Sequence, residues 1–146
     1  MDINVVQIPH ETVKDTWRHV EQSIADALTR SGGYALASHI KQDCIDEKSQ
    51  LWLLWDKDEE RESNKLYGVI VTEIIQRPLI KVLHIKIMTG RHREKWQHQI
   101  RKIEDFATQN GCHSMELIAR PGWKKILKPF DYRETHVVLV KQIKQE

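Results

Sequence analysis

Apolar residues change their spacing several times along the 146-residue chain, and each change marks an element. Ile3 to Ile8 is a short apolar run closed by Pro9, which predicts a first strand. Val13, Trp17, Val20, Ile24 and Leu28 then recur at three- and four-residue steps. That spacing puts them on one face of a helix, which Gly32-Gly33 stops. Thr12 followed by Asp15 resembles a capping box at its start. Leu36, Ile40 and Cys44 share one side of a second, shorter helix.

Gln50–Asp56 ("QLWLLWD") is apolar with little alternation and predicts a strand buried on both faces. The charged run "KDEERESNK" is a hairpin loop, Leu66–Gln76 is the next strand, and Arg77-Pro78 turns the chain into a third, Leu79–Gly90. The clearest helical pattern lies in "REKWQHQIRKIEDFATQNG". Trp96, Ile100, Ile103 and Ala107 hold one face, and Gly111 stands where a helix-ending glycine belongs. "HSMELIAR" predicts a strand, Trp123–Pro129 one or two helical turns, and "THVVLVKQI" a last strand. The order is β-α-α-β-β-β-α-β-α-β, a mixed α/β sheet with helices on its faces, in one domain spanning residues 1–146.

Composition narrows the function classes. Hydrophobic residues make up 40% and charged residues 30%, which suits a folded domain rather than a disordered chain. A formal charge of +2 permits an anionic ligand without demanding nucleic acid, so nucleic acid is an unlikely partner. No window approaches the ~18 apolar residues of a membrane helix, and no leader pattern opens the chain, so the expected location is the cytoplasm, away from membranes. Cys44 and Cys112 lie far apart and read as free thiols in a reducing compartment. The 8 histidines include no pair at tight ligand spacing, so no metal is expected. There is no Gly-x-Ser-x-Gly elbow, and neither cysteine has an evident histidine partner.

The element order, with "IMTGRHREKW" before the long helix and "RPGWKKILKPFDYRETHVVLVK" at the end, resembles the acetyl-CoA-dependent N-acetyltransferase superfamily known as GNAT. The last stretch also resembles small GNAT-like proteins encoded by tailed bacteriophages, some of them virion-associated. The resemblance implies acyl transfer from acetyl-CoA to an amine. It puts the cofactor on Ile87, Met88, Thr89, Gly90, Arg91, Arg93 and Lys95, around the loop that in the family holds a pyrophosphate.

Three departures accompany it. The loop keeps one glycine, Gly90, and has Lys95 and Trp96 where the family has small residues, which implies weak or absent acetyl-CoA binding. Leu127 stands where many members carry the tyrosine that protonates the leaving thiolate, while Tyr132 reads as a packing residue. For the base the candidates are His84, whose unperturbed pKa suits an amine proton, and Glu73 on the neighbouring strand; each also reads as an ordinary strand residue with a polar partner or solvent. Val82, His84, Lys86 and Met88 are expected on one face of their strand, and Trp123 packed beneath the sheet.

Two functions therefore stand: an N-acetyltransferase of unidentified acyl acceptor, and a catalytically silent GNAT-like structural protein that binds a phage or host protein. In the silent case Trp96, Lys95 or Arg91 should fill the gap where the strands before and after the long helix diverge, beyond about Ile87.

Overall fold

The computed structural model describes residues 2–144. The elements are β1 (Ile3–Ile8), α1 (Val13–Arg30), α2 (Ala37–Ile45), β2 (Gln50–Asp56), β3 (Leu66–Gln76), β4 (Lys81–Gly90), α3 (Ile100–Gln109), β5 (Ser114–Leu117) and α4 (Gly122–Leu127). The sheet runs β1-β2-β3-β4-β5 in spatial order. The first four strands pair antiparallel and β5 joins β4 in parallel, after the crossover through α3.

Each face of the sheet builds its own core. Val13, Trp17, Val20, Ile24 and Leu28 of α1 meet Leu51, Leu53, Val69 and Val71 on one face. Ile100, Ile103 and Ala107 of α3 meet Trp52, Leu54, Ile70, Leu83 and Ile85 on the other. β2 alternates between the two, Leu51 and Leu53 against Trp52 and Leu54, which is why its sequence shows no polar face.

The alternation fails once, in β4. Val71 stands opposite Ile87 and Thr72 opposite Ile85, so Lys86 is an extra residue on its strand, a β-bulge. Past it the faces exchange: Ile85 lies in the α3 core and Ile87 in the α1 core. The expected common face of Val82, His84, Lys86 and Met88 is thereby broken. Lys86 reaches Asp43 of α2, while Met88 packs with the α3 core.

Three further expectations change. Thr12 gives α1 no side-chain cap; its hydroxyl donates to the Pro9 carbonyl, closing a single 3-10 turn ahead of the helix. α3 starts at Ile100 rather than near Arg93. His92 is left-handed (φ 50°) and Trp96 leaves helical geometry (φ −134°, ψ −6°), so two short 3-10 turns, Arg93–Lys95 and Gln97–Gln99, precede the helix. That break lets the Trp96 ring drop into the core, where it is 2% exposed. The last strand, Thr135–Ile143, is also absent. The segment has no regular structure and lies outside the sheet, with Val137, Leu139 and Val140 69%, 89% and 77% exposed. A strand needs a neighbour for its backbone groups, and among the described residues β5 is paired only with β4.

Candidate functional site

β4 and β5 are hydrogen-bonded only from Val82↔Ser114 to Ile85↔Leu117. They part at the Lys86 bulge, two residues earlier than expected. From Lys86 to Gly90, β4 is paired with β3 alone, so the backbone groups on its other edge face a slot of about 910 Å³, within the range of ligand pockets. Its walls are this half of β4, the Leu117–Arg120 stretch, α4 through Trp123 and Ile126, and the C-terminal end of α1.

The slot has a marked charge asymmetry. Arg30, Lys86, Arg93 and Arg120 line it, Lys86 with its ammonium turned to Asp43 and Glu73, and among the described residues no Asp or Glu lines it. Arg30 donates to the Thr89 hydroxyl at 2.9 Å. Arg93 lies over the Trp123 ring, 5.2 Å from its centroid, and its buried Nε has no hydrogen-bond partner among the described residues. A buried N–H without an acceptor is unusual and costly, and an anion in the slot would supply one.

Of the residues expected to hold a cofactor, Ile87, Met88, Thr89, Gly90 and Arg93 line the slot. Arg91 turns away: its guanidinium stacks 4.0 Å above Tyr67 and donates to the Asn64 carbonyl. Lys95 is exposed and outside the lining. Trp96 forms part of a wall without filling the gap, so the filled gap expected of a silent protein is not what these side chains make. Trp123 is half-buried, packed against the α3 core on one side and lining the slot on the other, rather than sealed beneath the sheet.

Gly90 has a structural reason to be glycine. It pairs with Gly68, and an added Cβ would meet Gly68 Cα at 2.7 Å and the Trp96 ring at 3.0 Å. The two facing glycines make the floor on which Trp96 lies. The indole N–H donates to the Arg91 carbonyl at 2.8 Å, which fixes the loop between them.

His84 and Glu73 lie side by side in the β3–β4 register, just outside the slot. His84 Nδ1 is 2.9 Å from Glu116 of β5, and Arg77 grips the same carboxylate with two hydrogen bonds of 2.7 and 3.1 Å. The Arg77 guanidinium holds the Glu116 carboxyl below its ordinary range, and His84 adds to that. Glu73 reaches the slot only through Lys86, whose ammonium is 3.8 Å from it, 3.4 Å from Asp43 and 3.1 Å from the Ser49 hydroxyl.

No phenol stands free where the family's acid would be. Leu127 is buried in the α3 core. Tyr132 donates to Glu104 and packs against that core, and burial, more than the nearby carboxylate, pushes its phenol well above the ordinary range. Arg30, Lys86 and Arg120 were not singled out by sequence reasoning as ligand-facing. They come from α1, β4 and the stretch after β5, and no local spacing links them. Among the described residues no helix is long and apolar enough to cross a membrane, and no group of three or more His, Cys, Asp or Glu is placed to hold a metal.

A five-stranded mixed sheet whose fourth and fifth strands diverge after a bulge, with helices on both faces, is a GNAT-like acetyltransferase fold. The solved structures it is similar to include a probable acetyltransferase (TM-score 0.70, 14% identity, covering 98% of this chain and 99% of that one). An aminoglycoside acetyltransferase from an uncultured soil metagenomic sample matches at TM-score 0.68 with 11% identity, over 99% of this chain and 100% of that one. Glucosamine-6-phosphate N-acetyltransferase from Arabidopsis thaliana matches at 0.65 with 11% identity, over 99% and 100%. No protein-family model and no curated protein matches the sequence.

Proposed function

We propose that the slot takes the phosphate-bearing arm of an acyl-coenzyme A and that the protein transfers the acyl group to an amine. The observation that carries this reading is the slot itself, where Arg30, Arg93 and Arg120 stand beside an unpaired strand edge and no carboxylate is among the described lining residues. Arg93, with its unpartnered Nε, is the first candidate to meet a phosphate, and Arg30 and Arg120 add charge around it. The backbone of residues 86–90 would hold the ligand's amide groups as an added strand is held. When bound, the coenzyme supplies an activated thioester.

The chain's part in the chemistry is then proton handling. A carboxylate accepting from Nδ1–H leaves the lone pair of His84 on Nε2, so the Glu116–His84 pair suits removal of a proton from an incoming ammonium. Glu73, held by Lys86, is the other candidate. Leu127 has no proton to give and Tyr132 is committed to the core, so the leaving thiolate would take its proton from water.

Titration with acetyl-CoA, by calorimetry and by melting temperature, tests the reading. Saturable binding that raises the melting temperature is expected. Absence of heat and of any thermal shift at millimolar acetyl-CoA would sink it. The remaining reading is a catalytically silent GNAT-like protein, such as those of tailed phages, that binds a phage or host protein. Leu127 in place of an acid, and a Gly90 required by Trp96, favour that alternative.

A further inference from the structure

Two carboxylates flank His84, one on each neighbouring strand. Glu73 stands opposite it in the β3–β4 register, and Glu116 stands opposite it in the β4–β5 register. Each has its own cation. Glu73 is 3.8 Å from the Lys86 ammonium, a loose contact that Lys86 shares with Asp43 and Ser49. Glu116 is gripped by both terminal nitrogens of Arg77, at 2.7 and 3.1 Å. Among the described residues the imidazole bonds only to the second carboxylate. Its Nδ1 is 2.9 Å from Glu116 Oε2, the oxygen that also accepts from Arg77 Nη2.

What separates the two carboxylates is Arg77. The Glu116 side chain is 35% exposed, and a glutamate with that freedom has several rotamers open to it. One hydrogen bond to an imidazole does not select among them. A guanidinium fork that meets both oxygens fixes the plane of the carboxylate as well as its place. Arg77 itself has a fixed origin. Its backbone N–H donates to the Ile80 carbonyl at 2.8 Å, and Pro78 follows it, so the turn between β3 and β4 sets where the guanidinium starts. The fork also changes what the ring meets. A bare carboxylate draws an imidazole into its doubly protonated form, which has no lone pair to give. A carboxylate already paired with a guanidinium still accepts from Nδ1–H but exerts far less of that pull. The Glu116 carboxyl remains the acceptor because Arg77 first, and His84 after it, hold it below its ordinary range.

We propose that Arg77 is a positioning residue: it holds Glu116 so that His84 keeps its proton on Nδ1 and its lone pair on Nε2. Among the described residues Nε2 makes no hydrogen bond, so that lone pair is free. Its use, to take a proton from the acceptor's ammonium, rests on the function proposed above. The tautomer does not.

Nitrogen-15 NMR of the histidine rings in the full chain, above about pH 8.5 where imidazoles are neutral, tests the proposal. The His84 signals are assigned as those lost in His84→Gln. The wild type is expected to show one protonated nitrogen, Nδ1. In Arg77→Gln the two nitrogens should move towards each other as both tautomers populate, reaching the mixture of Glu116→Ala. Arg77→Lys restores the charge without the fork and should stay mixed. Circular dichroism should be unchanged, since Arg77 and Glu116 are both partly exposed. If Arg77→Gln loses the folded spectrum, Arg77→Lys carries the same comparison. Assayed in parallel, kcat for acetyl transfer should fall about tenfold in both Arg77 variants. KM for acetyl-CoA should stay the same, because Arg77 lies outside the slot lining. A wild-type His84 protonated on Nε2 would overturn the inference. So would an Nδ1–H tautomer undiminished in Arg77→Gln, or one fully restored by Arg77→Lys, which would leave charge alone as the cause. A wild type with the expected tautomers in all variants but no acetyl transfer would count against the proposed function and leave the inference standing.

Discussion

The two halves of β4 are built on different terms. From Val82 to Ile85 the strand has neighbours on both edges, its apolar side chains alternate regularly, and the polar groups beside it, Arg77, His84 and Glu116, are bonded to one another. From Lys86 to Gly90 it has one neighbour, its faces have exchanged, and the cations around it include an Arg93 Nε without any partner. The first half satisfies itself. The second leaves backbone and charge unsatisfied in one place, and the single residue inserted at Lys86 marks the change.

If the open half is held by Trp96 lying on Gly68 and Gly90 rather than by β5, Trp96→Ala should be the most damaging change in the region. A loss of about 3–5 kcal/mol in urea unfolding is expected, the range for removing a buried aromatic. An unchanged midpoint would mean that the β3 pairing alone supports this half.

Gly90→Ala should cost about 1–3 kcal/mol, because the new methyl meets backbone that cannot yield and the edge of the Trp96 ring. Gly122→Ala is the control. Nothing lies within 4 Å of its added Cβ, and its midpoint should not fall. Equal effects at the two glycines would dissolve the distinction between the packed floor and the open mouth.

Arg93→Ala separates ligand binding from stability. The unfolding midpoint should move by less than about 0.5 kcal/mol, while affinity for acetyl-CoA falls about tenfold, the scale of a lost charge-assisted bond. A variant that binds as wild type would remove Arg93 from the site.

The smallest effect belongs to the closed half. Glu116 has a folded pKa below its ordinary value, chiefly because of Arg77, so its contribution is fully present above the unfolded carboxylate range and is lost as the pH falls through the folded value. The pair is partly exposed, so Glu116→Gln should cost no more than about 1 kcal/mol at pH 7. The gap between variant and wild type should begin to narrow as the pH falls through the unfolded carboxylate range and close only once it has fallen through the lower folded value of Glu116. A gap that persists in acid would show that packing, not charge, is what Glu116 supplies.

The amino-acid sequence by itself determined the elements whose reasons are local. The three- and four-residue spacing from Val13 to Leu28 specifies α1, and the apolar runs at Leu51–Trp55 and Leu66–Ile75 specify central strands, because one face or both must leave water. The family resemblance, not a local pattern, put Ile87 to Gly90 and Arg93 beside the gap between two strands, and they line it. Tertiary structure decided what depends on a partner. Trp96 delays the start of α3 to Ile100, because its ring lies against Gly68 and Gly90. A bulge at Lys86 sends His84 and Met88 to opposite faces, which a count of alternate positions cannot register. Arg30 and Arg120 become neighbours of Arg93 only when α1 and the stretch after β5 converge on β4. Thr135–Ile143 carries the composition of a strand but is none in the single chain, because pairing is a property of two edges and a segment holds only one of them.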